Sequence, residues 1–296
     1  MAQLTHDQQS ARSTPNFFKD LLAMSHIFNG VGSAAAVMIG AIITSWYHGQ
    51  PVQIGAMLAA ALGTLLISNG GFIVNDIFDV EIDRINRPDR PLAAGRISLT
   101  VGWIVYAVST LVGILLGFAT NAQAGLVALV IAIALFLYSA VLKKRFILGH
   151  ASIGIMGGLL LPFGGIAMGQ WIPMLYTFPV TFLAFFAREV LKTVPDVDGD
   201  RANGVDNFAT RYGADRALRI GQIVMTICLL LLPAFYLVWS LNVIFLLVSL
   251  LLIWPLFFGV LWIFSRNDPA KRVHNMLRLS KLFFLLVAVA LLIGAL

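Results

Sequence analysis

Four acidic side chains crowd into eight positions, Asp76, Asp79, Glu81 and Asp83, inside the stretch GFIVNDIFDVEIDRINRPDRPLAAGR, residues 71–96. On a helix Asp76, Asp79 and Asp83 stand at i, i+3 and i+7 and share a face, with the amide of Asn75 on the adjoining stripe. Like charges at helical neighbours repel. A hard divalent cation removes that repulsion, and Mg²⁺ takes oxygen ligands while keeping substrate phosphates and waters in its shell. A second acidic stretch, REVLKTVPDVDGD, holds Asp196 and Asp200 four residues apart, and Pro195 and Gly199 make regular helix uncertain there. Arg188, Lys192 and Asp196 fall at i, i+4 and i+8 if the helix continues. Two carboxylate clusters, each with basic neighbours, are the chemistry of a diphosphate held by metal ions and Lys/Arg side chains.

Weaker signals surround these clusters. Tyr138 and Lys143 close the segment LYSAVLKKR, where Lys143 is either a phosphate ligand or a cationic membrane flank. Arg87 and Arg90 follow the first cluster in a Pro-rich loop, suited to closing over a diphosphate or to anchoring the loop. His26 and Asn29 are polar residues in the first apolar segment, where cavity lining and interhelical hydrogen bonding are equally good readings. The pairs Gly113/Gly117 and Gly154/Gly158 suit close helix packing.

The elements that must position these groups cross a membrane. The 296 residues are 59% hydrophobic and 11% charged, far from a soluble domain, and mean hydropathy is +0.89. A spanning helix needs about 20 mostly apolar residues. Nine segments meet this: 20–46, 52–77, 98–119, 122–142, 150–169, 172–194, 216–239, 241–264 and 276–296. Short connections predict an all-α, polytopic protein with nine transmembrane helices in one bundle, residues 19–296 forming a single domain. The polar residues 1–18 show no signal-peptide pattern and are expected to be a loose tail. The lone Cys228 excludes a disulfide framework within the chain.

With nine crossings, all 20 Lys and Arg fall on the side of the N-terminus, and the connections on the other side carry no charge. The positive-inside rule places that side in the cytoplasm. The net charge of +6 is then a topological signal and no sign of nucleic-acid binding. All 14 acids share this side, although Asp and Glu contribute little to orientation. A site facing the cytoplasm explains them.

A diphosphate site at the mouth of a membrane cavity suits a prenyl diphosphate, its head on the metals and its tail between helices. Cations there stabilise the departing diphosphate, and the bundle screens the allylic carbocation from water until a nucleophile captures it. The rival from another class is a divalent-cation or phosphate-ester transporter, against which stands the lack of ionisable residues in the far half.

NDIFDVEIDRINRPDRPLAAG resembles the first signature of the UbiA superfamily of intramembrane prenyltransferases, Asn-Asp-x-x-Asp-x-x-x-Asp. DVDGD resembles the second, Asp-x-x-x-Asp, and YSAVLK and the nine-span layout also fit. The resemblance implies that Asn75, Asp76, Asp79, Asp83, Asp196 and Asp200 serve a Mg²⁺–diphosphate site, with two ions expected, and that Lys143, Arg87 and Lys192 contact diphosphate. It implies a lipid or aromatic acceptor, with the bilayer as surroundings and no obligatory protein partner. EIDRINRPDRPLAAGRIS and REVLKTVPDVDGDRANGVDNFATRYG look closest to the digeranylgeranylglyceryl phosphate synthase branch, which prenylates geranylgeranylglyceryl phosphate in ether-lipid synthesis; 4-hydroxybenzoate-type and chlorophyllide acceptors are the alternatives. Many members carry Arg-Pro-x-Asn in the first span where this chain has His26-Ile27-Phe28-Asn29, a departure that speaks against an anionic aromatic acceptor.

Overall fold

A computed structural model describes residues 17–170, 173–259 and 269–295, and among these every regular element is helical. Among the described residues seven helices are long and apolar enough to cross a membrane: Gly30–Tyr47, Ile54–Phe78, Leu99–Thr120, Ala122–Ala140, Leu148–Ala167, Ala214–Val238 and Met276–Ala295. The sixth and eighth expected spans fall on shorter pieces. One is Phe178–Lys192, a 15-residue helix; the other is the apolar stretch Val243–Phe258, whose middle turn, Ser249–Ile253, is π-helical. Among the described residues length and composition support seven spans, and the other two expected spans are not established by them. Residues 1–16 of the expected tail lie outside the described residues.

The helices that build the site are α1 (Phe17–Met24), α2 (Ile27–Tyr47), α3 (Ile54–Phe78), α4 (Val80–Asn86), α5 (Leu99–Thr120), α6 (Ala122–Ala140), α7 (Leu148–Gly158), α8 (Leu160–Ala167), α9 (Phe178–Lys192), α10 (Val197–Ala202), α11 (Phe208–Tyr212) and α12 (Ala214–Leu231). Beyond them lie α13 (Ala234–Val238), α14 (Val243–Val248), α15 (Trp254–Phe258) and α16 (Pro269–Ala295). Side-chain caps set several starts. The Ser98 hydroxyl accepts from the Val101 amide at 3.3 Å to open α5. Asn121 accepts from Ala124 at 2.8 Å to open α6, and its amide donates to the Ile166 carbonyl at 2.8 Å, tying the α5–α6 turn to α8. The expected first span is broken: His26 adopts a left-handed backbone at φ 47°, separating α1 from α2.

Helix α3 is central, packed against α2, α5 and α6, while α9 packs against α7 and α12. The expected small-residue contacts are present. A Cβ on Gly113 would stand 2.8 Å from the Gly63 carbonyl oxygen, so α3 and α5 approach as only glycine allows, and Gly154 and Gly158 receive the rings of Phe182 and Phe178.

Two of the charged segments between spans are held by specific contacts. Met24, Ile73, Ile77, Val80, Leu92 and Ile97 form a buried cluster beneath the 87–98 loop. Arg96 fastens that loop to α1 through Asp20, Nε to Oδ1 at 2.8 Å. The segment after α10 is tied to the α6–α7 turn by the Asp206 amide, which donates to the Lys144 carbonyl at 3.2 Å, and by Arg211, whose guanidinium lies 3.8 Å above the Phe146 ring.

Candidate functional site

The two acidic stretches, distant in sequence, line one polar cavity of about 510 Å³. Asn75, Asp79 and Asp83 enter it from the α3–α4 junction, and Asp196 and Asp200 from the start of α10. Backbone bonds run across the junction, Asp79 N to Asn75 O at 3.0 Å and Asp83 N to Asp79 O at 2.8 Å. They keep helical spacing although α3 ends at Phe78. The second stretch ends α9 at Lys192 and begins again at Val197, as Pro195 requires.

Asp76, Asp79, Asp83 and Asp200 each meet a cation or an amide. Lys143 Nζ lies 2.5 Å from Asp79 Oδ1 and donates to Asn75 Oδ1 at 3.2 Å, while the Asn75 amide donates to Asp79 Oδ2 at 3.0 Å. Arg90 bridges Asp76 and Asp83 with two contacts of 2.6 Å. Asn207 donates to Asp200 at 2.7 Å. Burial pushes the Asp83 carboxyl above the usual carboxylate range, with Asp76 and Asp79 adding to the effect and Arg90 opposing it. Burial does the same at Asp200, reinforced by Asp196 and Asp79. Burial also pulls the Lys143 ammonium below the usual lysine range, opposed by Asp79.

The shared face expected of Asp76, Asp79 and Asp83 divides. Asp76 is buried, accepts from Arg90, and sits 3.1 Å from the His26 ring nitrogen. It lines a second, mainly apolar cavity of about 380 Å³ rather than the polar one. Arg188 is also placed elsewhere, its Nε donating to the Ser280 hydroxyl of α16 at 3.3 Å. The Asn29 side chain lies outside the described residues.

The two cavities share Asn75, Arg87, Arg90, Tyr138 and Lys192 on their walls. These residues form the join between a charged chamber and an apolar one lined by Ile67, Phe72, Ile131, Leu135, Met156 and Phe163. Sequence reading missed several residues of the polar wall. Glu189 is held there by Lys192 at 2.8 Å and by the Tyr138 hydroxyl at 3.4 Å. His150, Asn203 and Asn207 also line it. Glu189 sits between two residues the sequence did point to; nothing in the spacing marks His150.

The donor set suits a hard divalent cation. Among the described residues no three acidic, His or Cys side chains converge closely enough to hold an ion alone. The oxygens of Asn75, Asp79, Asp83, Asp196 and Asp200 nevertheless line one chamber, where burial first, and like-charged neighbours after it, raise the carboxyls of Asp83 and Asp200. An ion completing its shell with phosphate oxygens and water matches such a wall.

A helical membrane bundle whose charged chamber opens into an apolar one defines an enzyme class that handles substrates with an ionic head and a hydrocarbon tail. Residues 33–287 match the model of the UbiA prenyltransferase family, and the chain belongs to that family. It is thus an integral membrane prenyltransferase. It is 32% identical over 244 residues to the digeranylgeranylglyceryl phosphate synthase of Sulfurisphaera tokodaii, covering 79% of this chain and 86% of the relative. It is 31% identical to that of Saccharolobus solfataricus, covering 88% and 93%. In structure it resembles a UbiA homologue from Aeropyrum pernix K1, with TM-score 0.77 and 20% identity over 91% of this chain and 99% of the other. It also resembles an Archaeoglobus fulgidus homologue solved with GPP and Mg²⁺, with TM-score 0.65 and 18% identity over 91% and 99%.

Proposed function

We propose that this prenyltransferase transfers a geranylgeranyl group from its diphosphate to the free hydroxyl of geranylgeranylglyceryl phosphate, a step of ether-lipid synthesis, with Mg²⁺ as cofactor. The observation that carries the reading is the join itself: five polar residues shared by a carboxylate-lined chamber and an apolar one. The diphosphate lies in the first and the prenyl chain in the second, so the bond to be broken lies beside Asn75, Arg87, Arg90, Tyr138 and Lys192. The names of the curated relatives support the acceptor.

Asn75, Asp79, Asp83, Asp196 and Asp200 would hold the metal. When bound, Mg²⁺ neutralises charge on the leaving diphosphate. Lys143, Arg87 and Lys192 add positive charge around the same oxygens and favour the state in which the diphosphate carries the departing electron pair. The apolar wall excludes water from the allylic cation. The acceptor oxygen then bonds to the prenyl carbon and loses its proton to the released diphosphate. Asp76, bound to Arg90 and His26, positions Arg90 at the join rather than holding metal.

Nine crossings, with α9 and the α14–α15 stretch as the two short ones, place the chamber on the cytoplasmic side with the N-terminus. Residues 19–296 act as one domain in this reading, and residues 1–18 as an appended tail.

The test is a transfer assay on protein in detergent with Mg²⁺ and labelled geranylgeranyl diphosphate. Geranylgeranylglyceryl phosphate, 4-hydroxybenzoate and chlorophyllide are offered separately. The expected product is the diether phosphate, and EDTA should abolish its formation until Mg²⁺ is restored. Transfer to an aromatic acceptor alone would overturn the acceptor and keep the chemistry.

A further inference from the structure

His150 stands in the wall of the charged chamber, third residue of α7, with only 4% of its surface exposed. Neither ring nitrogen has a hydrogen-bond partner, and each has almost no accessible surface, so an oxygen in the chamber reaches one through a small turn of the ring. The other buried side-chain atoms without partners, on Thr44, His48, Asn69, Thr110, Trp239 and Ser249, belong to residues that line neither cavity. Leaving a buried polar group unsatisfied is unfavourable by about 1–3 kcal/mol, so such groups in a native protein call for a partner.

The surroundings say what that partner is. Phe186 and Phe208 pack around the ring, with Phe208 edge-on at 5.1 Å, and hold it in place without offering it a hydrogen bond. Its charged neighbours are Glu189 and Lys192. Glu189 is already engaged by Lys192 and Tyr138. Gly149 lines the chamber beside His150, so the first turn of α7 faces it, and a helix N-terminus favours negative charge. An imidazole N–H, a helix start and Lys143, Lys144 and Lys192 around one chamber suit an anionic oxygen acceptor.

We propose that His150 is a substrate-binding residue whose ring N–H donates to a phosphoryl oxygen in the chamber. The inference rests on the reading of this chamber as a diphosphate site and adds to it a contact from α7. Two sources supply such an oxygen, the diphosphate of the prenyl donor and the phosphate of the lipid acceptor.

Calorimetric titration of purified protein in Mg²⁺ separates these sources, with inorganic diphosphate and glycerol phosphate as the probes. His150→Phe keeps the aromatic packing and removes the donor; His150→Gln keeps a donor; Asp79→Asn tests the chamber itself. His150→Phe is expected to weaken binding of one probe about tenfold, the size of a lost hydrogen bond to a charged group, while His150→Gln recovers a large part. A loss confined to inorganic diphosphate assigns the contact to the donor, and one confined to glycerol phosphate assigns it to the acceptor. Unchanged affinity for both probes in His150→Phe, with Asp79→Asn weakened, overturns the His150 contact and leaves the diphosphate site standing. If the wild type binds neither probe, both readings fall together. Size-exclusion profiles matching the wild type show that the variants fold.

Discussion

At the scale of single residues, charge is balanced locally and imperfectly. Asp79 has Lys143 and Asn75, and Asp76 and Asp83 share Arg90. Among the described residues Asp196 and Asp200 form no ion pair, and Asn207 supplies Asp200 with a neutral donor. This asymmetry makes Asp79→Asn and Asp196→Asn the sharpest probes of the chemistry. Each should lower transfer at least a hundredfold, on the order expected when a group that stabilises developing charge is removed, without preventing insertion. Turnover close to wild type in both would sink the metal assignment. Lys143→Ala should raise the KM for prenyl diphosphate, whereas Cys228→Ser, a buried residue of α12 remote from the chamber, should not. Equal KM values would return Lys143 to the role of a membrane flank.

The raised Asp83 and Asp200 carboxyls have a thermodynamic consequence. An acid whose folded pKa lies above its unfolded value of 3.8 opposes folding when ionised, and that opposition fades as the pH falls through the folded pKa. Metal-free protein should therefore gain thermal stability as the pH falls through the raised pKa values toward 3.8. The gain should shrink in Asp83→Asn, which is neutral throughout. Melting curves in EDTA at several pH values read this directly, and an identical pH response in the variant would refute the contribution of Asp83.

At the scale of elements, the position of the first acidic cluster depends on how closely α3 approaches its neighbours. Gly63 and Gly113 meet backbone to backbone, and a Cβ on Gly113 would also fall 2.6 Å from Ile67. Gly113→Leu should separate α3 from α5 and destabilise the protein by about 1–3 kcal/mol, the usual range for overpacking. It should lower the melting temperature in detergent more than Gly55→Leu, since Gly55 has open space around it. An equal effect of the two would mean that the α3–α5 contact is not what holds α3. The breaks between elements matter as much as their packing. The left-handed His26 turns α1 away from α2 and brings the imidazole onto Asp76, while Pro195 turns the chain between α9 and α10 so that Asp196 and Asp200 face Asp79 across the chamber.

At the scale of the whole molecule, the proposed nine crossings gather the charged connections on one side of the membrane. With Cys228→Ser as background, single cysteines at Asp215 and Gln123, both exposed, test the orientation. A membrane-impermeant maleimide should label position 215 only in inside-out vesicles and position 123 only in right-side-out ones. The reverse pattern would place the chamber outside the cell and end the cytoplasmic reading.

Much of this was open to view in the sequence because it follows from local rules. Apolar runs long enough for a bilayer must be helical, since no other open structure satisfies the backbone in lipid. Asn75, Asp79 and Asp83 keep their spacing across a helix junction because backbone bonds carry it. The glycine pairs predicted close packing, and the family signature was legible in residues 75–83 and 196–200. Tertiary structure alone decided the rest. Whether Asp76 faces metal or Arg90 depends on a rotation about α3 and on a histidine 50 residues earlier. Arg188 lies one turn from Lys192 yet reaches α16, because the neighbours of α9 set which side of it meets the chamber. His150 gives no signal in sequence: a buried histidine among phenylalanines becomes a candidate ligand only when three distant helices leave its nitrogens without partners beside a charged cavity. Local periodicity fixes which residues can share a face, while the packing of one helix on another fixes what that face meets.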